Sequence, residues 1–580
     1  MKNRNIIIIC RDRDITVDIK KTSLRGFLLW GSHLKQKYLI KSLSNSASAK
    51  EIKTKIESNI MRPEWIANHR FGMFDLLNYV KNGYRYVHDP TINAQFFDLT
   101  GIPSATSIHI YHYLLNHNLN PINIDNFEGS QLRLKSILEK NPLAVVISAT
   151  FLSAEKISRI IRFVRESNND LPIIIGSGIL LTKLDSNKQL EKEYEKIISE
   201  NVYVILEEYG LDTLNVFLQR ISMGKEFTDI PNIIYSNNRN IVYSERKYLS
   251  YDIDSNYPNW AKVDKSITKD TAFIRASQGC PYKCKFCSFP KASVKFRQRS
   301  VESVRDELRT IKSSNIKNVA FTDDHFAISP RRVREMCEMM LEEKFNFNWF
   351  AGIRASAINE DNAKLLEDTG CKVLCVGLES GDDRMLKLIN KQTDTASNMK
   401  ALEILDKHNI VAYGSFLLGF PGETDESIEN TINWINRSPL KLYKIFLFSL
   451  LPDSVIYDEQ VEHDITFFGD EYDYSLWKTP TMDALKASEL LREFILRIEK
   501  AVLIYNYSPM YAFFPLLSRG YSMGESLEFF KIRTNLIKNE LSNNSYFSKR
   551  SLRKEQFNEL EELLRREPNS SAHGTAHPTY

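Results

Sequence analysis

The chain has 580 residues, room for about three to five domains at roughly 100–200 residues each. Its 43% hydrophobic and 26% charged residues match an ordinary globular protein and exclude a disordered or collagen-like chain. Lys plus Arg at 77 against Asp plus Glu at 73 leaves a net charge of +4, too small for this length to nominate a nucleic acid or an anionic membrane as partner.

The apolar runs, Ile6–Ile9 among them, fall short of the ~20 residues a membrane helix needs. The first run is interrupted at once by Arg11, Asp12, Arg13 and Asp14, which does not fit a secretory leader. A cytoplasmic protein is expected. Seven cysteines, three of them within eight residues, suit metal binding in a reducing compartment better than a disulfide framework.

Residues 1–91 form an N-terminal extension with one short strand candidate, Ile6–Cys10. From 92 to 228 the apolar runs QFFDLT, NPINIDNF, LAVVISA, PIIIGSG and VYVILEE alternate with amphipathic stretches such as AEKISRIIRFVRE. Buried runs separated by helices predict a parallel, doubly wound Rossmann-like sheet. Residues 229–265 read as a hairpin and linker. A second series over 266–490 has six strand candidates, TAFIRAS, NVAFTDDHF, NWFAGIRAS, KVLCVGLESG, VAYGSFLLGFPG and KLYKIFLFSL, with helices between them. This predicts a partial (β/α)6 barrel with its chemistry at the C-terminal strand ends. Residues 491–580 are expected to be helical, with a polar tail.

In RASQGCPYKCKFCSFP, Cys280, Cys284 and Cys287 stand at C-x3-C-x2-C spacing on the loop after the first strand of the second series. Their thiolates can converge on one centre. A structural zinc ion asks for a fourth protein ligand, for which only the remote His325, Cys337 or Cys371 is at hand. A 4Fe-4S cluster held by three cysteines keeps its fourth iron open for a small ligand, and an open iron implies chemistry. Inert buried thiols are the third reading.

The spacing, with Phe286 before the last cysteine, resembles the signature of the radical S-adenosylmethionine (SAM) superfamily. The resemblance implies that the open iron chelates SAM and that one electron from the cluster, supplied by a reductant such as flavodoxin or ferredoxin, cleaves it to a 5′-deoxyadenosyl radical. By position it also implies that Thr322, Asp323 and Asp324, ending the second strand, hold the methionyl amine, although the family's usual Gly-Gly-Glu is absent. Arg354 would meet the SAM carboxylate, Glu379 with Ser380 the ribose hydroxyls, and the turn from Gly419 to Gly422 the adenine. Each position has a structural alternative: a helix cap for the aspartates, an ion pair for Arg354, a helix-starting turn for GFPGET.

A doubly wound domain placed before such a barrel resembles the cobalamin-binding radical SAM subfamily, the likeness covering about 92–490. It implies cobalamin held near Ser148 and Thr150 and near Gly176 and Gly178, and methyl transfer to an unactivated carbon of a small-molecule or peptide substrate. The Asp-x-His-x-x-Gly motif of cobalt-ligating domains is absent, and His109, His112 and His117 are expected to pack or face solvent. The alternatives are radical cyclisation, dehydrogenation or epimerisation, with Cys337, Cys371 or Cys375 as hydrogen donor, and a non-catalytic metal-binding scaffold.

Overall fold

The structure is a computed structural model that describes residues 4–10, 104–124, 127–176, 178–184, 189–207, 210–247, 252–263, 270–287, 296–451, 454–467, 476–504, 509–518 and 520–565. It divides into two compact units. The expected strand QFFDLT and the polar tail lie outside the described residues.

The first unit is built on β1 (Asn5–Ile9), α1 (Ala105–Asn116), β2 (Asn120–Ile124), α2 (Gln131–Leu138), β3 (Ala144–Ser148), α3 (Ala154–Ser167), β4 (Ile173–Gly176), β5 (Val202–Ile205) and α4 (Leu211–Met223). The strands are runs of Ile and Val, β-branched residues that fit a sheet buried on both faces. Ile7, Ile9, Val145 and Ile173 pack with the apolar stripe Ile157, Ile160, Ile161 and Val164 of α3. Ile6, Ile8, Val146 and Ile174 pack with α1 and α4. Each fully buried aliphatic side chain contributes roughly 1.5–3 kcal/mol, so two-sided burial is what makes five short strands sufficient.

The parallel strands lie in the order β2-β1-β3-β4-β5. This is the flavodoxin-like doubly wound order, whose ligand crevice opens where β1 and β3 diverge. The strand at residues 5–9, expected in an N-terminal extension, is thus central to the sheet. The hairpin β6 (Ile233–Asn237) and β7 (Asn240–Tyr243), expected in a linker, continues the same sheet antiparallel from β5. Its two-residue turn has φ of 50° at Asn238 and 66° at Arg239, the all-positive pattern that matches the twist of the flanking strands. The strand β8 (Thr271–Ile274) runs into the cysteine loop, and α5 (Val301–Ser313) follows that loop.

The second unit holds β9 (Asn318–Phe321), α6 (Pro330–Glu342), β10 (Asn348–Ile353), α7 (Glu360–Asp368), β11 (Cys371–Glu379), α8 (Asp383–Leu388), α9 (Thr395–Lys407), β12 (Val411–Leu418), α10 (Asp425–Arg437), β13 (Leu442–Leu447), α11 (Ala484–Arg497) and β14 (Val502–Leu503). These six strands are hydrogen-bonded in chain order and all parallel, a partial barrel. The strand at 502–503 extends the series beyond residue 490, where the sequence reading ended it. Side chains cap the helices after the strands: Ser329 accepts from the Arg332 amide, and Thr424 forms a reciprocal capping box with Ser427. The chain then forms α12 (Pro509–Leu517), α13 (Met523–Leu541) and α14 (Tyr546–Arg565), the helical C-terminal region expected. No helix among the described residues is long and apolar enough to cross a membrane.

Candidate functional site

The cysteine loop, residues 275–287, is braced from two sides. The Lys285 amide donates to the Ile389 carbonyl (2.9 Å), the Ile456 amide donates to the Lys285 carbonyl (2.9 Å), and Lys285 Nζ pairs with Glu459 at 2.6 Å. Within the loop the Cys287 amide donates to the Cys284 carbonyl at 3.1 Å. None of Cys280, Cys284 and Cys287 is in a disulfide; Cys284 is buried and the other two are half-buried, as is Phe286. Burial pushes the Cys280 thiol above its usual range, opposed in part by a backbone hydrogen bond from Tyr282 and by the Arg354 charge.

Asp323, expected at the methionyl amine, is engaged by the cysteine loop. Its Oδ2 accepts from the Ala276 amide (3.1 Å) and its Oδ1 from the Ser277 hydroxyl (2.7 Å), so the carboxylate ties the β9 end to the start of the cysteine loop. Burial raises its pKa to about 6, against the pull of those hydrogen bonds. Thr322 is half-buried beside it, and Asp324 is exposed and near enough to Cys280 to raise that thiol further.

Arg354, at the end of β10, is nine-tenths buried. Its Nη1 donates to Cys284 Sγ at 3.8 Å, its guanidinium lies 3.7 Å over the Tyr282 ring, and its Nη2 has no partner. On the Tyr282 ring stacks the His325 imidazole (5.6 Å, 19°), with both ring nitrogens buried and unpartnered. Burial, with the charges of Arg354 and Lys391 adding to it, lowers His325 to about 4 and keeps it neutral.

Glu379 closes β11 at a register shift, with φ of +63°. Its Oε1 accepts from Lys391 Nζ at 2.7 Å, and both side chains are only 8% exposed. A Cβ at Gly377 would stand 2.7 Å from Lys391 Nζ and 2.8 Å from Glu379 Oε1, so glycine there makes room for the pair. Ser380 is engaged in shaping the turn: its hydroxyl meets Thr431 Oγ1 (3.1 Å) and accepts from the Asp382 amide (3.2 Å).

In GFPGET, Gly419 has φ of +94°, and a Cβ there would press on the Trp477 ring at 2.9 Å. The Gly422 carbonyl accepts from Arg384 Nη1 at 2.7 Å. Glu423, fully buried, accepts from the Gly419 amide across the turn, and burial raises its pKa to about 8. The turn is self-closed, and it starts α10 as well.

The other cysteines do not join the cluster loop. Cys337 accepts from the Thr369 hydroxyl (3.9 Å), and burial pushes Cys337 to about 12 and Cys371 well above the ordinary range. Among the described residues no three Cys, His, Asp or Glu side chains stand close enough to share a single metal ion. Thiolates around one zinc sit roughly 4 Å apart, whereas in a 4Fe-4S cube each thiolate meets its own iron. Three thiols outside any disulfide on one braced loop, with a buried cation on one sulfur, fit the cluster. The orphaned Arg354 Nη2 fits an anionic group beside it.

In the first unit, Ser148 ends β3 and Thr150 follows it, at the edge where β1 and β3 diverge. Their hydroxyls meet at 3.0 Å, and Ser148 caps the short helix Ala149–Phe151 by accepting from the Thr150 amide. Gly176 ends β4, and Gly178 opens the short helix Gly178–Lys183. His112 is buried in α1, lowered to about 4 by burial and Lys262, and His117 stacks on Tyr113. His112 is thus packed in the unit, and His117 is exposed at the end of α1.

Residues 274–435 match the Radical SAM superfamily. They are a radical SAM domain. Over 263 residues the chain is 27% identical to an uncharacterized methyltransferase of Pyrococcus horikoshii, covering 44% of this chain and 57% of that protein. Over 206 residues it is 29% identical to the bacteriochlorophyllide d C-12(1)-methyltransferase of Chlorobaculum tepidum, covering 34% of this chain and 45% of that one. The chain thus spans about half the length of these curated relatives. Among solved structures it resembles the radical SAM methyltransferase TsrM of Kitasatospora setae with cobalamin and a [4Fe-4S] cluster bound (TM-score 0.56, 15% identity, 81% of this chain and 97% of that one). It also resembles the cobalamin-dependent radical enzyme OxsB (TM-score 0.53, 14% identity, 85% and 84%). The radical SAM domain and the doubly wound unit before it share the fold of those proteins.

The radical SAM domain also contains residues that sequence reasoning did not single out. Lys391, the partner of Glu379, sits in an unpatterned NKQTD segment, and Tyr282 acts through a direction that a linear motif does not encode. The position of Tyr282 inside the cysteine motif was the one available signal.

Proposed function

We propose that the chain is a radical SAM enzyme that, with cobalamin, methylates an unactivated carbon of a small-molecule or peptide substrate. The observation that carries this reading is the braced loop of three cysteines outside any disulfide, with Arg354 on one sulfur, in a chain whose first unit is a sheet of flavodoxin-like strand order. When bound, the cluster supplies an electron to the SAM sulfonium and cobalamin supplies a methyl carrier.

The chain's own residues divide the remaining work. Cys280, Cys284 and Cys287 hold the cluster. Arg354 pairs one face with Cys284 and turns its free Nη2 toward the SAM carboxylate. The Glu379–Lys391 pair offers an acceptor and a donor to the ribose and amino acid ends of SAM. Ser148, Thr150, Gly176 and Gly178 line the cobalamin crevice, where small residues let the corrin approach the strand ends. Unpaired thiols suit a reducing cytoplasm, with a flavodoxin or ferredoxin as electron donor.

A second reading is favoured by Cys375, a half-buried thiol in register with Tyr413 on β12 that burial keeps protonated. It fits hydrogen-atom donation in a radical rearrangement without methyl transfer. One experiment separates the two. The anaerobically reconstituted, reduced protein is assayed for 5′-deoxyadenosine and S-adenosylhomocysteine, with and without added cobalamin. Cobalamin-dependent S-adenosylhomocysteine supports methylation, 5′-deoxyadenosine alone favours rearrangement, and neither product defeats both.

A further inference from the structure

Three neighbouring strands of the second unit present alternate faces of opposite character. On one face, Val376, Leu378, Phe416, Tyr443 and Ile445 are buried. Phe416 meets Trp434 of α10 and Tyr443 meets Phe494 of α11, so this is the face the helices cover. On the other face Cys375, Gly377, Ser415, Leu417 and Lys444 are half-open and Phe446 is 44% exposed. In a parallel barrel that second face is the concave interior.

The register puts its groups in rows. Gly377 pairs with Ser415 and Ser415 with Lys444; one row above, Leu417 pairs with Phe446; one row below, Cys375 pairs with Tyr413. Strands about 4.8 Å apart put Lys444 roughly 10 Å from the Gly377 column, beside which the Glu379–Lys391 pair stands.

Two polar groups on this face have no protein partner among the described residues. Lys444 makes no ion pair or hydrogen bond among the described residues; its ammonium rests 4.2 Å over the Phe446 ring, and burial lowers its pKa. Tyr413 is 6% exposed, and its hydroxyl has no partner. A half-open ammonium without a counter-charge on the inside of a barrel can pair with an anionic ligand, and a buried hydroxyl without a partner is costly until it gains one.

Building on the radical SAM reading above, we propose that this inner face is the substrate subsite and that it recognises a carboxylate. Lys444 pairs with the anion, Ser415 stands beside it in register, and Tyr413 donates its O–H to the same bound molecule. One cation matches one negative charge, which favours a carboxylate over a phosphate dianion. Leu417 and the open Phe446 ring meet an apolar body attached to that carboxylate.

The test is equilibrium dialysis of 3-phenylpropionate, 3-phenylpropionamide and phenyl phosphate against the reconstituted full chain. The wild type is expected to bind the carboxylate saturably and about tenfold more tightly than either analogue. Lys444→Met should weaken carboxylate binding about tenfold or more, Lys444→Arg should restore most of it, and Tyr413→Phe should weaken it severalfold. No saturable binding to the wild type, equal binding of the amide, preference for the phosphate, or a Lys444→Met variant that binds as well as the wild type each overturns the proposal. So does a Lys444→Arg variant no better than Lys444→Met. Dialysis needs no SAM cleavage, so wild-type release of 5′-deoxyadenosine, measured separately, decides the radical reading independently of this one.

Discussion

Arg354 Nη1 donates to the Cys284 sulfur at 3.8 Å while its guanidinium lies 3.7 Å over the Tyr282 ring. A buried cation on one thiolate favours the state of the cluster with more negative charge, which is the reduced state. Arg354→Gln should therefore make the cluster's midpoint potential more negative. A charged hydrogen bond is worth about 1.5–3 kcal/mol, and part of that differential gives roughly 50–100 mV for a one-electron couple. Tyr282→Leu, which removes the platform and leaves the charge, should move it the same way by less. A redox titration followed by electron paramagnetic resonance reads both, and an unmoved potential in Arg354→Gln would show that the contact does not reach the cluster.

The ion pair of Glu379 and Lys391 is nearly closed to solvent. Lys391→Met leaves a buried carboxylate without its cation, and breaking such a pair costs about 3–5 kcal/mol. Thermal melting of the single variant should drop accordingly, and Glu379→Gln combined with Lys391→Met should recover much of the loss. A single variant as stable as the wild type would mean that Glu379 is held by something other than this lysine.

Asp323 supports the cysteine loop through Ala276 and Ser277. Asp323→Ala removes two buried hydrogen bonds, roughly 1–3 kcal/mol for each partner left unpaired. The expected result is lower iron content after identical reconstitution, with Asp323→Asn in between because it keeps one acceptor. If Asp323→Ala loads iron fully but binds SAM more weakly, the residue belongs to the methionyl amine after all.

Glu423 carries a pH signature. Its folded pKa is raised to about 8, burial being the main cause, so the folded chain holds a proton that the unfolded chain releases near 4.5. Stability from this group is present below that unfolded value and is lost as pH rises through about 8. Glu423→Gln, which keeps the acceptor for the Gly419 amide, should flatten the fall in melting temperature between those pH values. Parallel curves for the two proteins would place the titration elsewhere.

The strands of both series were legible because unbroken Ile and Val runs between amphipathic stretches leave a parallel sheet few alternatives. Sheet order was less so. Asn5 pairs with Asn120 across a long separation in sequence, and nothing in the run Ile6–Ile9 names its neighbour. The cysteine spacing exposed the loop, but the directions of side chains around it are properties of the fold: Asp323 turns back to Ser277 where Arg354 turns forward to Cys284. Ser380 and Asp323 share strand-end positions with Glu379 and Arg354, and only the folded structure shows that the first two hydrogen-bond to Thr431 and to the Ala276 amide.

The central claim is that Cys280, Cys284 and Cys287 anchor an iron–sulfur cluster. Iron and acid-labile sulfide should be measured on anaerobically reconstituted wild type and on the triple variant with all three cysteines changed to Ala. The prediction is about four irons and four sulfides per chain in the wild type and next to none in the variant. Equal iron in both proteins, or zinc in place of iron in the wild type, would contradict it.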